Sequence, residues 1–401
     1  MIERPQVYED LDVPTAINGV GTKTRISGTL MREEAADAMR EAATAFVRIS
    51  DLQGCASDRI ANATGAEAGY VASGAAACLT LAAAACIAGD DLDRMARLPE
   101  TEGVSDEIVM PRTHRNGYDH ALRAAGATIV DVGNNDNTLG SGASNVELWE
   151  IEAAISDETV AIAYMEKPYT QPPLSDVADL AHEYDIPVIV DAAAELPPTR
   201  NLTRFVEEGA DLVAFSGGKA VRGPQSSGFL AGRDDLVRSA ALQHLDMHAV
   251  PEAWIPTPFF DGADLPGTPR QGIGRQLKVG KEELVGLIRA LELFVEEDDE
   301  AVLGEWHERA ERIADALDAA DAFAVSLTNA GKTDAVTTVA VSVDEDVADT
   351  TTAELVRGLR AESPRVYVGA DDIHDSQFTV NPRCLTDDEA EYLVERVLDR
   401  L

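Results

Sequence analysis

Val160-Ala161-Ile162-Ala163-Tyr164-Met165, Pro187-Val188-Ile189-Val190-Asp191 and Leu212-Val213-Ala214-Phe215 lie along one stretch of chain, and their reading decides the fold. Each is a short, continuously apolar run, the pattern of a strand buried on both faces. Between them, residues 175–184 and 202–208 carry helical periodicity. Such alternation predicts βαβ units and a mainly parallel sheet covered by helices. Outward from this stretch, 107–110, 128–132 and 229–231 read as further strands, and 75–88, 116–125 and 147–155 as helices. An amphipathic helix is expected over 31–49, where Met31, Ala35, Ala38, Met39, Ala42 and Phe46 recur at helical spacing. A long helix is expected over 281–315. Beyond about residue 322 the order changes to strands (322–327, 337–343, 365–368, 377–380) with helices at 351–361 and 386–400, an α+β layer. The expected organisation is an N-terminal arm (1–30), a large α/β domain (31–290) and a smaller C-terminal α+β domain (291–401).

The charge is lopsided. The 401 residues include 72 Asp and Glu against 33 Lys and Arg, a formal net charge of −39. The acid is spread along the whole chain, which points to adaptation to high salt, where self-repulsion is screened; an ordinary acidic protein is the alternative. This charge disfavours nucleic acid and anionic membranes as partners. Lysine is scarce: Lys23, Lys167, Lys219, Lys278, Lys281 and Lys332 are all there are. Cys55, Cys78, Cys86 and Cys384 form no CxxC pair, so neither a metal site nor a redox motif is expected. No signal peptide and no apolar run of about 20 residues is evident, so a cytoplasmic location is expected.

In open parallel sheets, ligands gather at the carboxyl ends of strands. Asp191 ends one strand. A carboxylate there can pair with a protonated pyridine nitrogen and keep the ring an electron sink, and Ala193 is small enough to lie against a flat ring. The alternative is an Asp that caps the next helix. The second strand end runs Phe215-Ser216-Gly217-Gly218-Lys219-Ala220-Val221-Arg222-Gly223. Its glycines permit close approach of a ligand, Ser216 can offer a hydroxyl to a phosphate, and Lys219 can form an imine with an aldehyde once burial or a cation such as Arg222 lowers its pKa. Asp191 and Lys219 are 28 residues apart, room for one helix and one strand, so both reach the same sheet edge. Ser73, Gly74 and Ala75 open the Ala-rich helix, where backbone N–H groups can hold an anion; a plain helix cap is the alternative. An acid, an amine and an anion site in this arrangement suit pyridoxal 5′-phosphate (PLP).

The Ser216–Gly228 segment resembles the cofactor-lysine segment of the selenocysteine-synthase-like family of fold-type I PLP enzymes. Ile17–Met31 (INGVGTKTRISGTLM) and Gly272–Glu283 (GIGRQLKVGKEE) resemble the family's other motifs, and the likeness covers about residues 10–395. It is closer to the branch of sugar-acid ammonia-lyases acting on D-glucosaminate 6-phosphate than to the tRNA-dependent synthases. The resemblance implies that His114 stacks on the ring face opposite Ala193, a hydrogen-bonding loop histidine being the alternative. It implies that Arg383 takes the substrate carboxylate by its guanidinium fork, a surface arginine being the alternative. Arg25, Arg222, Arg275 and Lys278, with Lys23 and Arg270, are cations retained in motifs against an acidic background, and they suggest a small anionic substrate and a homodimer or larger homo-oligomer. The expected reaction is removal of ammonia, through β-elimination of water, from a hydroxy amino acid or amino sugar acid to give a 2-keto acid. Lys219 would move the Cα proton and Asp191 would keep the ring cationic. A PLP-dependent transferase, a racemase, an aldolase or a PLP-binding homologue without turnover are the alternatives.

Overall fold

The computed structural model describes residues 5–133, 146–167, 170–247, 249–260, 265, 267–329 and 336–401. Lys332, one of the six lysines, lies outside them. The described chain divides into two compact units, Met31–Glu296 and a second made of Met1–Leu30 with Glu297–Leu401.

In chain order the strands are β1 (Ala16–Gly19), β2 (Ala68–Ala72), β3 (Glu107–Pro111), β4 (Thr128–Val132), β5 (Thr159–Met165), β6 (Val188–Asp191), β7 (Leu212–Ser216), β8 (Gly228–Gly232), β9 (Phe323–Thr328), β10 (Thr338–Val343), β11 (Arg365–Val368) and β12 (Gln377–Val380). The larger unit is built on a seven-stranded sheet in the order β2-β8-β7-β6-β5-β3-β4. From β7 to β4 every neighbouring pair is parallel, and β8 alone runs against its neighbours β7 and β2. The apolar runs are buried as a covered sheet requires: Ala161, Ile162, Val188, Val190 and Val213 have 0% exposure. The helix Ala75–Ala88 lies against one face, and residues 82–85, all alanine, are fully buried. Side chains this small let helix Asp234–Leu242 pack closely upon it. On the other face Phe215 stacks on Phe229 with ring centroids 5.0 Å apart.

The smaller unit carries the three-stranded antiparallel sheet β12-β10-β9 and the parallel pair β1-β11. Helices Asp299–Asp318, Thr352–Arg360 and Asp387–Leu398 pack with its strands around a core including Phe323, Val339, Leu355 and Phe378.

Two expected helices are corrected. The one expected over 31–49 ends at Ala42, and a new helix starts at Ile49. Phe46, taken as part of its apolar stripe, is fully exposed on the connection. The one expected over 281–315 is two helices, Lys281–Val295 and Asp299–Asp318. Asp298 interrupts it, because its side chain accepts from Glu300 N (3.1 Å) and Ala301 N (3.3 Å) and starts a second helix.

Candidate active site

The register of the large sheet brings the expected site residues to one edge. Asp191 pairs with Met165 of β5 on one side and Ala214 of β7 on the other. Ser216, the last residue of β7, pairs with Gly228, and Gly228 pairs with Ala72 at the end of β2. Asp191 and Ser216 therefore end their strands, and Ser73 follows one, at the same sheet edge, and His114 follows the end of β3 in the turn Arg112–His114.

The anion loop is held from two sides. Gly74 precedes helix Ala75–Ala88 at φ 143°, and no side chain caps the helix. Ser73 N donates to the Leu277 carbonyl at 3.0 Å, which joins the loop to the short helix Ile273–Leu277. A cavity of about 410 Å³ opens beside Ser73, Gly74, Ala77, Tyr118 and Leu277. A side chain at Gly228 would collide with Gly74 C and Ala75 N. Gly228 thus allows the loop to sit directly on the strand.

The lysine turn is wound tightly. Gly217 N donates to Ser227 O (3.0 Å), Gly223 N to Gly217 O (2.8 Å), and Arg222 N to Lys219 O (3.0 Å). A Cβ at Gly217 would lie 2.6 Å from Leu287 Cδ1 and would also strike Ser227 Oγ. Lys219 emerges half-buried from this turn, while Arg222 is exposed at a left-handed φ of 57°.

Asp191 Oδ1 accepts from Ala193 N at 3.1 Å. This caps a turn and not a helix, because the next helix begins at Asn201. Burial pushes the Asp191 carboxyl above the usual range; the Ala193 N–H, Lys219 and Lys167 oppose that rise. Lys219 and Lys167 are thus both near enough to act on Asp191.

His114 is completely buried, and burial pushes its imidazole down to about 4. Its Nε2 lies 3.2 Å from the Gln171 carbonyl, which can only accept, so Nε2 carries the proton. The bare Nδ1 then has no hydrogen-bond partner, and Thr113 Oγ1, one residue earlier in the chain, is also buried without one. Tyr164 meets the His114 ring edge-on at 4.6 Å and donates to Pro172 O at 2.9 Å, which braces the loop that holds His114.

Arg275 and Lys278 lie at and just beyond the short helix that meets Ser73, and their charge, after burial, helps push His244 down to about 4. In the smaller unit, Arg25 lines a cavity of about 480 Å³ with Tyr8, Arg365, Tyr367 and Cys384. Arg383 of that unit sits 5.7 Å above the Trp306 ring, with its Nε buried and unpaired.

Sequence reasoning missed Lys167 and Glu195, which form an ion pair past the ends of β5 and β6, and Asn116, which lines a small cavity with Asp191. The scarcity of lysine was a usable signal for Lys167, two residues beyond an apolar strand. Asn116 carried none.

The residues suit a phosphorylated pyridine aldehyde. An uncapped helix end faces a cavity, an amine and a carboxylate act on each other across the sheet edge, and a buried imidazole has an unpartnered nitrogen.

The Aminotransferase class-V family model matches residues 114–252. The chain is 30% identical to a 5′-C-glycyluridine monooxygenase-decarboxylase of Streptomyces sp, over 98% of this chain and 92% of that protein. It is 28% identical to a D-glucosaminate-6-phosphate ammonia lyase of Salmonella typhimurium, over 98% of this chain and 97% of the relative. An L-seryl-tRNA(Sec) selenium transferase of Desulfovibrio desulfuricans matches at 27% over 55% of this chain and 47% of its own length. A solved D-glucosaminate-6-phosphate ammonia-lyase superposes with a TM-score of 0.81 at 27% identity, covering 99% of this chain and 98% of that one. The chain belongs to the selenocysteine-synthase-like family of fold-type I PLP enzymes.

Proposed function

We propose that this chain binds PLP and is a carbon–nitrogen lyase, releasing ammonia and a 2-keto acid from an amino sugar acid such as D-glucosaminate 6-phosphate or from a hydroxy amino acid. The observation that carries this reading is the gathering of Asp191, Lys219, His114 and the Ser73–Ala75 loop at one sheet edge, together with full-length similarity to an ammonia lyase.

Bound PLP supplies an aldehyde for the substrate amine and a ring that draws electrons from the Cα bond. Gly74 and Ala75 would hold its phosphate with backbone N–H groups at the helix start, and Ser73 and Ser216 with their hydroxyls. Asp191 keeps the proton on the ring nitrogen. His114 and Ala193 cover the two ring faces. The Lys219 amine would hold the aldehyde carbon at rest and then take the proton from Cα, a role worth about 10²–10⁴ in rate; the Cβ hydroxyl leaves with a proton as water, and the enamine so formed takes a proton at Cβ and is hydrolysed to the 2-keto acid and ammonia. Arg222, Arg275 and Lys278 receive the anionic ends of the substrate. The assembly is a homodimer or larger in a salt-rich cytoplasm; among the described residues no helix is long and apolar enough to cross a membrane.

A second reading follows from the 30% identity to the monooxygenase-decarboxylase. Keto acid and ammonia released in equal amounts from D-glucosaminate 6-phosphate, without oxygen uptake, support the lyase. Oxygen-dependent release of carbon dioxide from 5′-C-glycyluridine overturns it in favour of the second. PLP binding without turnover of either substrate overturns both.

A further inference from the structure

The parallel pair β1-β11 has one buried face and one open face. Ile17, Val366 and Val368 are buried in the core of the smaller unit, and the residues that alternate with them point the other way. The register sets Ala16 beside Arg365 and Asn18 beside Tyr367 on that open face. A cavity of about 480 Å³ is lined by these four residues. Arg25, from the turn Thr24–Ile26, and Tyr8, from helix Gln6–Asp10, also line it. Every residue of this lining belongs to the smaller unit, whereas Ser73, Asp191 and Lys219 belong to the larger.

The positive charge around this cavity is unmatched. Arg309 and Arg312 of the same unit both pair with Asp387, and Arg396 and Arg400 pair with Glu362. Among the described residues Arg25, Arg360 and Arg365 form no ion pair. Arg360 lies over the Tyr367 ring, 5.7 Å from its centroid, and its buried Nε has no hydrogen-bond partner. Glu389 is the carboxylate of the described lining, and it is engaged elsewhere: its Oε2 accepts from Thr386 N (2.8 Å) and from Thr386 Oγ1 (3.1 Å) at a helix start. Asn18 is engaged too. Its Nδ2 donates to Gly21 O (3.0 Å) and Gly28 O (3.1 Å), and its Oδ1 accepts from Val20 N (3.1 Å), so it fixes the rim. In a chain of net charge −39, arginines left without acids around one cavity make a local positive potential that draws anions.

Two chemistries meet in this space. Arginine forks take the oxygens of phosphate or carboxylate. Tyr8 and Tyr367 offer flat rings, and the exposed side chains of Val13 and Leu30 add apolar wall. The volume lies in the range that holds a small organic ligand. We propose that this cavity is a second ligand site, taking a planar ring that carries a phosphate, of the size of a nucleoside monophosphate, with the phosphate on Arg25 and Arg365 and the ring beside Tyr367. The site is built by the smaller unit alone and depends on neither the cofactor nor the lyase reading.

The test uses the full-length protein freed of unbound PLP, with adenosine 5′-monophosphate as the probe in calorimetric titration at one fixed KCl concentration. Wild type binds the probe. Adenosine and inorganic phosphate, each lacking half of the recognised chemistry, bind at least about tenfold more weakly. Arg25→Gln and Arg365→Gln each weaken the probe about 10–150-fold, the range of a charge-assisted hydrogen bond. Ala16→Trp, which fills the cavity from its floor and changes no charge, abolishes binding. Thermal unfolding of each variant without probe reports folding separately. Saturating D-glucosaminate 6-phosphate leaves the wild-type titration unmoved. Three results overturn the inference: no binding by wild type, binding that survives both Arg365→Gln and Ala16→Trp, or displacement of the probe by D-glucosaminate 6-phosphate, which would make the cavity part of the substrate site. None of them touches PLP binding or keto acid release, so the functional reading stands or falls on its own experiment.

Discussion

The backbone N–H of Ser73 donates to the carbonyl of Leu277 at 3.0 Å, and this bond ties two distant motifs to each other. One opens the helix expected to hold the cofactor phosphate. The other carries Arg275 and Lys278 on the segment that meets it. Cofactor and substrate anions can thus be bound side by side by separate pieces of chain.

Separate duties predict separable effects. Arg275→Met and Lys278→Met should each raise the KM for a phosphorylated substrate about 10–150-fold, the range of a charge-assisted hydrogen bond, and leave PLP affinity within about twofold. Steady-state kinetics on D-glucosaminate with and without its 6-phosphate, beside fluorescence titration of PLP, check this.

Lys219→Ala should abolish the visible band of the bound cofactor and lower kcat by at least about 10³. Borohydride treatment of wild type followed by peptide mapping should label the Ser216–Arg222 segment and no other lysine. Label at Lys167 would reassign the roles of the two amines.

Gly228→Ala places a methyl group where Gly74 C and Ala75 N now lie. The anion loop must move, at a cost of about 1–3 kcal/mol. Weaker PLP binding, with the unfolding temperature of the PLP-free protein lowered by about a few degrees, is the expected pattern.

The buried His114 sets an acid limit on stability. Its folded pKa is depressed to about 4, while the unfolded imidazole takes a proton near 6.5. Its contribution is therefore complete above about pH 6.5 and is lost as the pH falls towards 4, by up to about 3 kcal/mol. Urea unfolding at pH 7 and pH 4.5 should show the loss, and His114→Phe should remove this part of it.

A formal charge of −39 predicts salt-dependent folding. The unfolding temperature should rise as KCl increases from 0.1 to about 2 M, because carboxylate repulsion is screened within a few ångströms at molar salt. A flat profile would mean that the acidic composition reflects something other than salt.

Much of the larger unit was legible because its strands are buried on both faces and therefore read as unbroken apolar runs. Val188–Asp191 and Leu212–Ser216 fall within one residue of expectation, and helix Ala75–Ala88 falls on it. β1 was not legible. Ala16-Ile17-Asn18-Gly19 alternates too briefly, and its partner is β11, far along the chain. β2 was hidden by its neighbour, since Ala68–Ala72 runs into an equally apolar helix that differs only in backbone geometry. The helix expected over 31–49 failed because Phe46 matched the spacing while packing on nothing. At the site, single residues with a chemical signature were readable: a rare lysine, an acid after a strand, a glycine-rich turn. The ion pair of Lys167 with Glu195 was not, because it depends on which strands are adjacent in space.

The pairing of β1 with β11 bears on how the polypeptide is made. β1 leaves the ribosome about 350 residues ahead of the strand that completes it. During that interval the larger unit has all of its own strands, while the leading segment keeps an unsatisfied edge in solution. A fragment beginning at residue 297 would meet the same difficulty from the other side, and association through the bare flank of β11 is the outcome to look for.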